Sequence, residues 1–96
     1  MDSVFVFNGN ASTFPSAVFT DRQRATAWIA HHRLTGTPTE YPVDVGVYDW
    51  AVGNGDFTPK REDHQTPHFI GKFSSAAQWH AHFEDGATHG SEGSDA

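Results

Sequence analysis

The chain has 96 residues and a formal net charge of −6 with its histidines neutral, and this length indicates a single domain with one modest core. It contains no cysteine, which excludes disulfides, thiolate zinc sites and cysteine nucleophiles. Its six basic residues are scattered along the chain, which argues against nucleic acid binding, because a phosphate backbone requires a basic footprint. No apolar run approaches the roughly 20 residues that span a bilayer, so we expect a cytoplasmic protein with no membrane partner.

The first part of the chain predicts a β-hairpin. Residues 3–8 are mostly β-branched and aromatic, as is typical of a strand. The following Asn-Gly-Asn at residues 8–10 has the composition of a turn. An extended pattern resumes over residues 14–19, with a proline near its start. We expect the two segments to pair across a wide loop.

A helix is predicted over about residues 21–33. Thr20 and Gln23 have the spacing of a capping box, in which each side chain hydrogen-bonds a free backbone N–H of the first turn. Apolar residues then recur at the helical spacing i, i+3, i+4 and i+7. Gly36 follows near the position of a C-cap. The caps and the periodicity therefore agree on one amphipathic helix.

The middle of the chain predicts a short second helix. Residues 38–42 have a proline at each end, and we interpret them as an irregular crossing. The apolar residues that follow fit both an alternating strand and a helix over about residues 45–53. We favour the helix because Asp44 could cap it and because Gly53 and Gly55 follow where a helix would end.

The remaining elements are a long loop and two strands. Residues 54–67 form a polar stretch with two prolines, which is long for so small a domain, and Phe57 is expected to anchor it. Residues 68–73 contain alternating aromatic residues and predict a strand. Residues 78–84 alternate apolar and polar residues and predict a second strand.

The histidines of the segment 78–84 raise the possibility of a metal site. Because side chains alternate along a strand, one face would carry Trp79, Ala81 and Phe83 and the other His80, His82 and Glu84. Two imidazoles and a carboxylate would suit Zn²⁺ or a similar divalent ion. The same row could also be solvated surface. If the segment is a helix instead, the two histidines diverge by about 200° and the site disappears.

Catalytic patterns are weak elsewhere. Asp44 and Asp49 diverge if their segment is a helix, and no serine lies in a Gly-x-Ser-x-Gly elbow. The Gly-Asn-Gly at residues 53–55 lacks the Lys-Ser/Thr of a phosphate-binding loop. We therefore expect a non-enzymatic protein without a cofactor. The alternative is a small metal-binding protein or metal-dependent hydrolase that uses the histidine face of residues 78–84.

The aromatic residues provide the candidate binding surface. Eight Phe, three Trp and two Tyr are more than the core of such a small domain requires, and exposed Trp and Tyr often form binding hot spots. In the helical interpretation of residues 45–53, Trp50 lies off the apolar stripe. We predict that Trp50, with its neighbours Tyr48 and Asp49, forms an interaction surface.

Three blocks of the sequence are distinctive: VFVFNG at residues 4–9, YPVDVGVYDWA at residues 41–51 and HAHFEDG at residues 80–86. Through these blocks, residues 3–86 resemble a family of small uncharacterised bacterial proteins, a domain of unknown function. The resemblance implies no activity, ligand or site. The chain departs from the expected pattern at Trp79, where relatives should have a polar residue, and at Ala81, where they should have an aromatic one.

These observations predict a single α+β domain over residues 1–86, with a disordered polar tail over residues 87–96. The hairpin and the C-terminal strands would form an antiparallel sheet with the main helix on one face, and the first strand would pair with residues 78–84. We expect the protein to act through contact with an unidentified protein partner, and an inhibitor or immunity-type protein is the closest analogy. Charging all seven histidines would move the net charge from −6 to +1, which suggests a response to pH.

Overall fold

The computed structural model describes residues 2–88, and the strands of this part form one antiparallel sheet. In chain order they are β1 (Ser3–Gly9), β2 (Ala17–Phe19), β3 (Gly36–Pro42), β4 (Phe83–Glu84) and β5 (Ala87–Thr88). Their order in the sheet is β2-β1-β3-β4-β5. The helices are α1 (Arg22–His32), α2 (Val47–Gly53) and α3 (Pro67–Gly71), and a 3₁₀ helix (Glu62–Gln65) precedes α3. The predicted α+β class, the hairpin and the two longer helices are confirmed.

The core lies between the sheet and α1. Strand β1 contributes Phe5 and Phe7, and α1 contributes Ala25 and Ile29, one helical turn apart. The C-terminal segment adds the three alternating apolar residues of the predicted strand face. All three are buried: Trp79, Ala81 and Phe83. The apolar side of this segment therefore attaches it to the core, as the alternation predicts.

Helix α1 is capped by a different residue from the predicted one. The N-cap is Asp21, whose side-chain Oδ1 accepts a hydrogen bond from the Gln23 N–H at 2.7 Å. The capping box of Thr20 and Gln23 does not form, because the helix starts one residue later and Gln23 is its second residue. At the other end, Arg33 adopts the left-handed conformation with φ 56°, so the C-cap is not Gly36.

The prediction of an irregular crossing over residues 38–42 is wrong, because this segment belongs to the long strand β3. Proline is normally disfavoured inside a sheet, because it has no N–H to donate to a neighbouring strand. In β3, the Pro38 carbonyl accepts from the Ala81 N–H at 3.3 Å, so the backbone polar groups of Pro38 point away from β1. On the side of β3 that faces away from β1, only a few residues pair with the C-terminal segment. The missing N–H of Pro38 therefore does not interrupt the hydrogen bonds between β3 and β1.

Helix α2 begins two residues later than predicted. Its N-cap is Gly46, which provides no side-chain hydrogen bond. The predicted cap Asp44 instead lies outside the helix at a positive φ of 66°, a conformation that Asp tolerates better than most residues. The predicted cap is therefore wrong, while the helix itself and its end at Gly53 are confirmed.

The predicted strand over residues 68–73 is wrong, because residues 68–71 belong to helix α3. Thr66 caps α3 by accepting a hydrogen bond from the Phe69 N–H, and Pro67 occupies the first turn, where a proline costs least. Phe69 lies in α3 and Phe73 lies two residues beyond its end, and a spacing of four residues fits one face of a strand as well as one face of a helix. The alternation alone could not separate these two structures.

The predicted strand over residues 78–84 is a regular strand only at Phe83–Glu84, with an isolated bridge at His80. This segment pairs with β3 and not with β1 as predicted. Thr39 pairs with His80, and Gly36 pairs with Phe83, because β3 lies between β1 and this segment in the sheet. Ala87 and Thr88, which the sequence assigns to the tail, form β5. The rest of the predicted tail, residues 89–96, lies outside the described residues, and its disorder stays a prediction.

Candidate interaction surface

Helix α2 directs the three predicted interaction residues to three different surroundings. Tyr48 packs among aromatic rings from the following loop. Asp49 is exposed in the first turn of the helix, where the helix dipole stabilises a negative charge. Trp50 is half-buried and lines a pocket. Of the three, Trp50 has the surroundings of a binding residue.

Tyr48 belongs to an aromatic cluster that holds the long loop against α2. We call it the loop cluster, and its members are Tyr48, Phe57, His64, Phe69 and Phe73. The ring centroids of Phe57 and Phe73 lie 4.9 Å apart, and those of Tyr48 and Phe73 lie 5.5 Å apart. These separations are typical of packed aromatic pairs. Phe57 therefore anchors the loop, and Tyr48 serves packing.

Trp50 lines a pocket of about 110 Å³, the Trp50 pocket, which four segments of the chain enclose. Asp2 and Ser3 form one side at the start of β1, and Glu40 and Pro42 form another at the end of β3. Residues 77–79 complete the wall. The two carboxylates lie far apart in the sequence, and only the pairing of β1 with β3 brings them to the same pocket.

Gln78 fixes the wall of the Trp50 pocket and is only 4% exposed. Its side-chain oxygen accepts from the Ser75 N–H at 2.9 Å, and its side-chain nitrogen donates to the Glu40 carbonyl at 3.0 Å. Both ends of the buried amide are thus paired, as a buried polar group requires. These bonds attach the turn at residues 75–78 to β3, next to Glu40.

The carboxylate of Glu40 is half-buried and has one hydrogen-bond partner among the described residues. The Ser3 hydroxyl donates to it at 2.5 Å. Within residues 2–88 the ion pairs include only Arg61 with Asp63, on the surface. No described basic side chain therefore neutralises Glu40 directly. Sequence reasoning overlooked Glu40, Ser3 and Gln78, since no local pattern marks residues that meet only across the sheet.

Trp79 is 4% exposed and borders both the core and the Trp50 pocket. The Phe5 ring packs edge-on against it at 5.7 Å. The Arg22 guanidinium lies 4.2 Å from the centroid of the Trp79 ring, which is a cation–π distance. The buried indole N–H has no hydrogen-bond partner among the described residues. The tryptophan is thus packed on its rings and unsatisfied at its polar atom.

The two histidines of the predicted metal face lie together. The rings of His80 and His82 are 5.5 Å apart. His80 Nδ1 lies 3.0 Å from the Gln78 carbonyl, so this nitrogen carries a proton and donates. Among residues 2–88, however, no group of three or more His, Cys, Asp or Glu side chains could hold a metal ion. The structure therefore brings the two histidines together, and a metal site that includes Glu84 stays a prediction.

The fold is that of a small α+β protein whose distinctive surface is a compact pocket with aromatic and acidic walls. Residues 4–89 match a family described as a domain of unknown function (DUF7710), and the chain belongs to this family. The resemblance inferred from the sequence is thereby confirmed. Comparison with curated proteins and with solved structures finds no significant match to the chain. None of the helices in residues 2–88 has the length and apolar character needed to cross a membrane.

Proposed function

We propose that this chain is a small acidic, non-enzymatic protein of the bacterial cytoplasm that acts by binding another protein. The supporting observation is the position of Trp50, which is half-buried and lines a pocket of about 110 Å³. Pockets for small-molecule ligands usually have about 300–1,000 Å³. The size of the Trp50 pocket therefore suits a single side chain of a partner better than a whole substrate.

The surroundings of Trp50 have the composition of an interface centre. A partly buried tryptophan beside a pocket is a common binding hot spot, and Asp49 and Val52 on the same helix are exposed and available to form a rim. The net charge of −6 would steer a basic partner towards the protein. An inhibitor or immunity-type role fits these properties by analogy.

The proposal is tested with immobilised protein in three forms: wild type, Trp50→Ala and Phe14→Ala. Phe14 is 76% exposed and lies in the hairpin loop, so its truncation is a matched control for loss of an exposed aromatic ring. A specific partner should bind wild type and Phe14→Ala equally and should bind Trp50→Ala about tenfold more weakly or worse. Circular dichroism checks that the variants are folded. Failure to recover a specific partner, or a partner equally bound by all three forms, would contradict the proposal.

A further inference from the structure

The Trp50 pocket contains a negative charge that the described part of the protein does not neutralise. Glu40 is half-buried and accepts one hydrogen bond from the Ser3 hydroxyl. A carboxylate that loses water on burial is stabilised by a cation. Among residues 2–88, no Lys, Arg or His nitrogen lies within ion-pair distance of Glu40. A cation that entered the pocket would complete the surroundings of this carboxylate.

The other walls also suit a cation. Asp2 adds a second carboxylate to the pocket, and Trp50 adds an aromatic ring. Trp79, a neighbouring wall residue, already stacks with a guanidinium, that of Arg22 at 4.2 Å. The pocket thus combines carboxylates with a flat aromatic surface.

We propose that the Trp50 pocket binds an arginine side chain of the protein partner, an inference that rests on the proposed function. A guanidinium can stack on an aromatic ring while two of its N–H groups form bidentate hydrogen bonds with a carboxylate. The pocket volume of about 110 Å³ accommodates one such side chain. Lysine presents a compact and strongly hydrated charge without a planar face, so it matches this combination less well.

The test uses N-acetyl-arginine amide as the probe and follows the amide and indole N–H signals of the full chain by NMR. Saturable shifts should appear at the Trp50 and Trp79 indoles and at Gln78, with a Kd in the millimolar range. The neutral analogue N-acetyl-citrulline amide has nearly the same shape and should bind about tenfold more weakly or worse, because it lacks the charge. The lysine amide should bind more weakly than arginine.

Two charge variants separate local recognition from overall electrostatics. Glu40→Gln keeps an acceptor for Ser3 but removes the carboxylate, and it should weaken arginine binding about tenfold. Glu62→Gln makes the same change in net charge at an exposed residue of the 3₁₀ helix and should leave binding unchanged. If Glu40→Gln unfolds, Trp50→Leu is the second variant, and it should weaken binding through loss of the stacking surface.

Equal binding of arginine and citrulline, equal binding of arginine and lysine, or equal weakening by Glu40→Gln and Glu62→Gln would each overturn the inference. The proposed function can fail or succeed separately. A partner that requires Trp50 but binds Glu40→Gln at full affinity would overturn the arginine inference and leave the proposed function standing. Arginine binding in the absence of any specific partner would support the pocket inference and count against the proposed function.

Discussion

Among the glycines of residues 2–88, Gly36 has the least room for a side chain. A Cβ at this position would lie 2.4 Å from the Asn8 carbonyl oxygen and 2.6 Å from Phe7 Cζ, and its φ is +157°. The sequence suggests a helix cap for this glycine, but the structure shows that close contact between β3 and β1 requires it.

We expect Gly36→Ala to lower the free energy of unfolding by about 1–3 kcal/mol, because backbone and ring atoms must move to accept the methyl group. Urea denaturation measures the change. Gly53→Ala is the matched control, since a Cβ there meets no atom within 4 Å and alanine favours a helix by about 1 kcal/mol over glycine. A Gly36→Ala protein as stable as wild type would contradict the close approach of the two strands.

The start of α1 shows how a sequence motif can be displaced by one residue. Thr20 and Asp21 are both good N-cap residues, and the capping-box spacing favours Thr20. The structure selects Asp21, whose side chain accepts from the Gln23 N–H. Which of the two residues becomes the N-cap depends on where β2 ends and α1 begins. The hairpin sets these two positions, and the two candidate cap residues do not.

Substitution of each candidate cap distinguishes the two assignments. Asp21→Ala should cost about 1 kcal/mol of stability, because it removes the acceptor for a free N–H of the first turn. Thr20→Ala should stay within about 0.5 kcal/mol of wild type, as is usual for exposed surface substitutions. Thermal or urea unfolding followed by circular dichroism gives both values. A larger cost for Thr20→Ala than for Asp21→Ala would restore the original capping box.

At the scale of the whole molecule, the protein has two unequal sets of packed residues. The main core joins the sheet to α1 and includes Ile29, which is fully buried. The loop cluster joins α2 to the loop and α3 through aromatic rings that are only half-buried. Because stability follows buried apolar area, the loop cluster should open before the core does.

A substitution in the main core should therefore destabilise the whole domain, whereas a substitution in the loop cluster should destabilise only the loop and α3. Ile29→Ala should lower global stability by about 2–5 kcal/mol and speed amide exchange in β1 and β3 alike. Phe57→Ala should speed exchange mainly in the 3₁₀ helix and α3, with β1 and β3 little affected. Hydrogen exchange followed by NMR gives the rates residue by residue. Uniform acceleration by Phe57→Ala would show that the two sets unfold as one unit.

The elements that the sequence predicted well are those with agreeing local signals. Periodicity places α1 to within one residue at each end, although its caps differ from the predicted ones, and alternation places the buried face of residues 78–84. Elements with conflicting signals were missed. Prolines argued against β3, and the spacing of Phe69 and Phe73 fits both a strand and a helix. Pairing with β1 decided β3, whereas the Thr66 cap and Pro67 in the first turn, which are local signals, decided α3.

The sequence by itself determined the α+β class, the hairpin, α1 and the core face of the C-terminal strand, because these depend on patterns within about a dozen residues. It also singled out Trp50. Only the tertiary structure brought Asp2, Ser3 and Glu40 to Trp50 and Gln78, since they meet through the pairing of β1 with β3. Contacts between residues nearly forty positions apart leave no periodicity in a sequence, and the candidate site consists of such contacts.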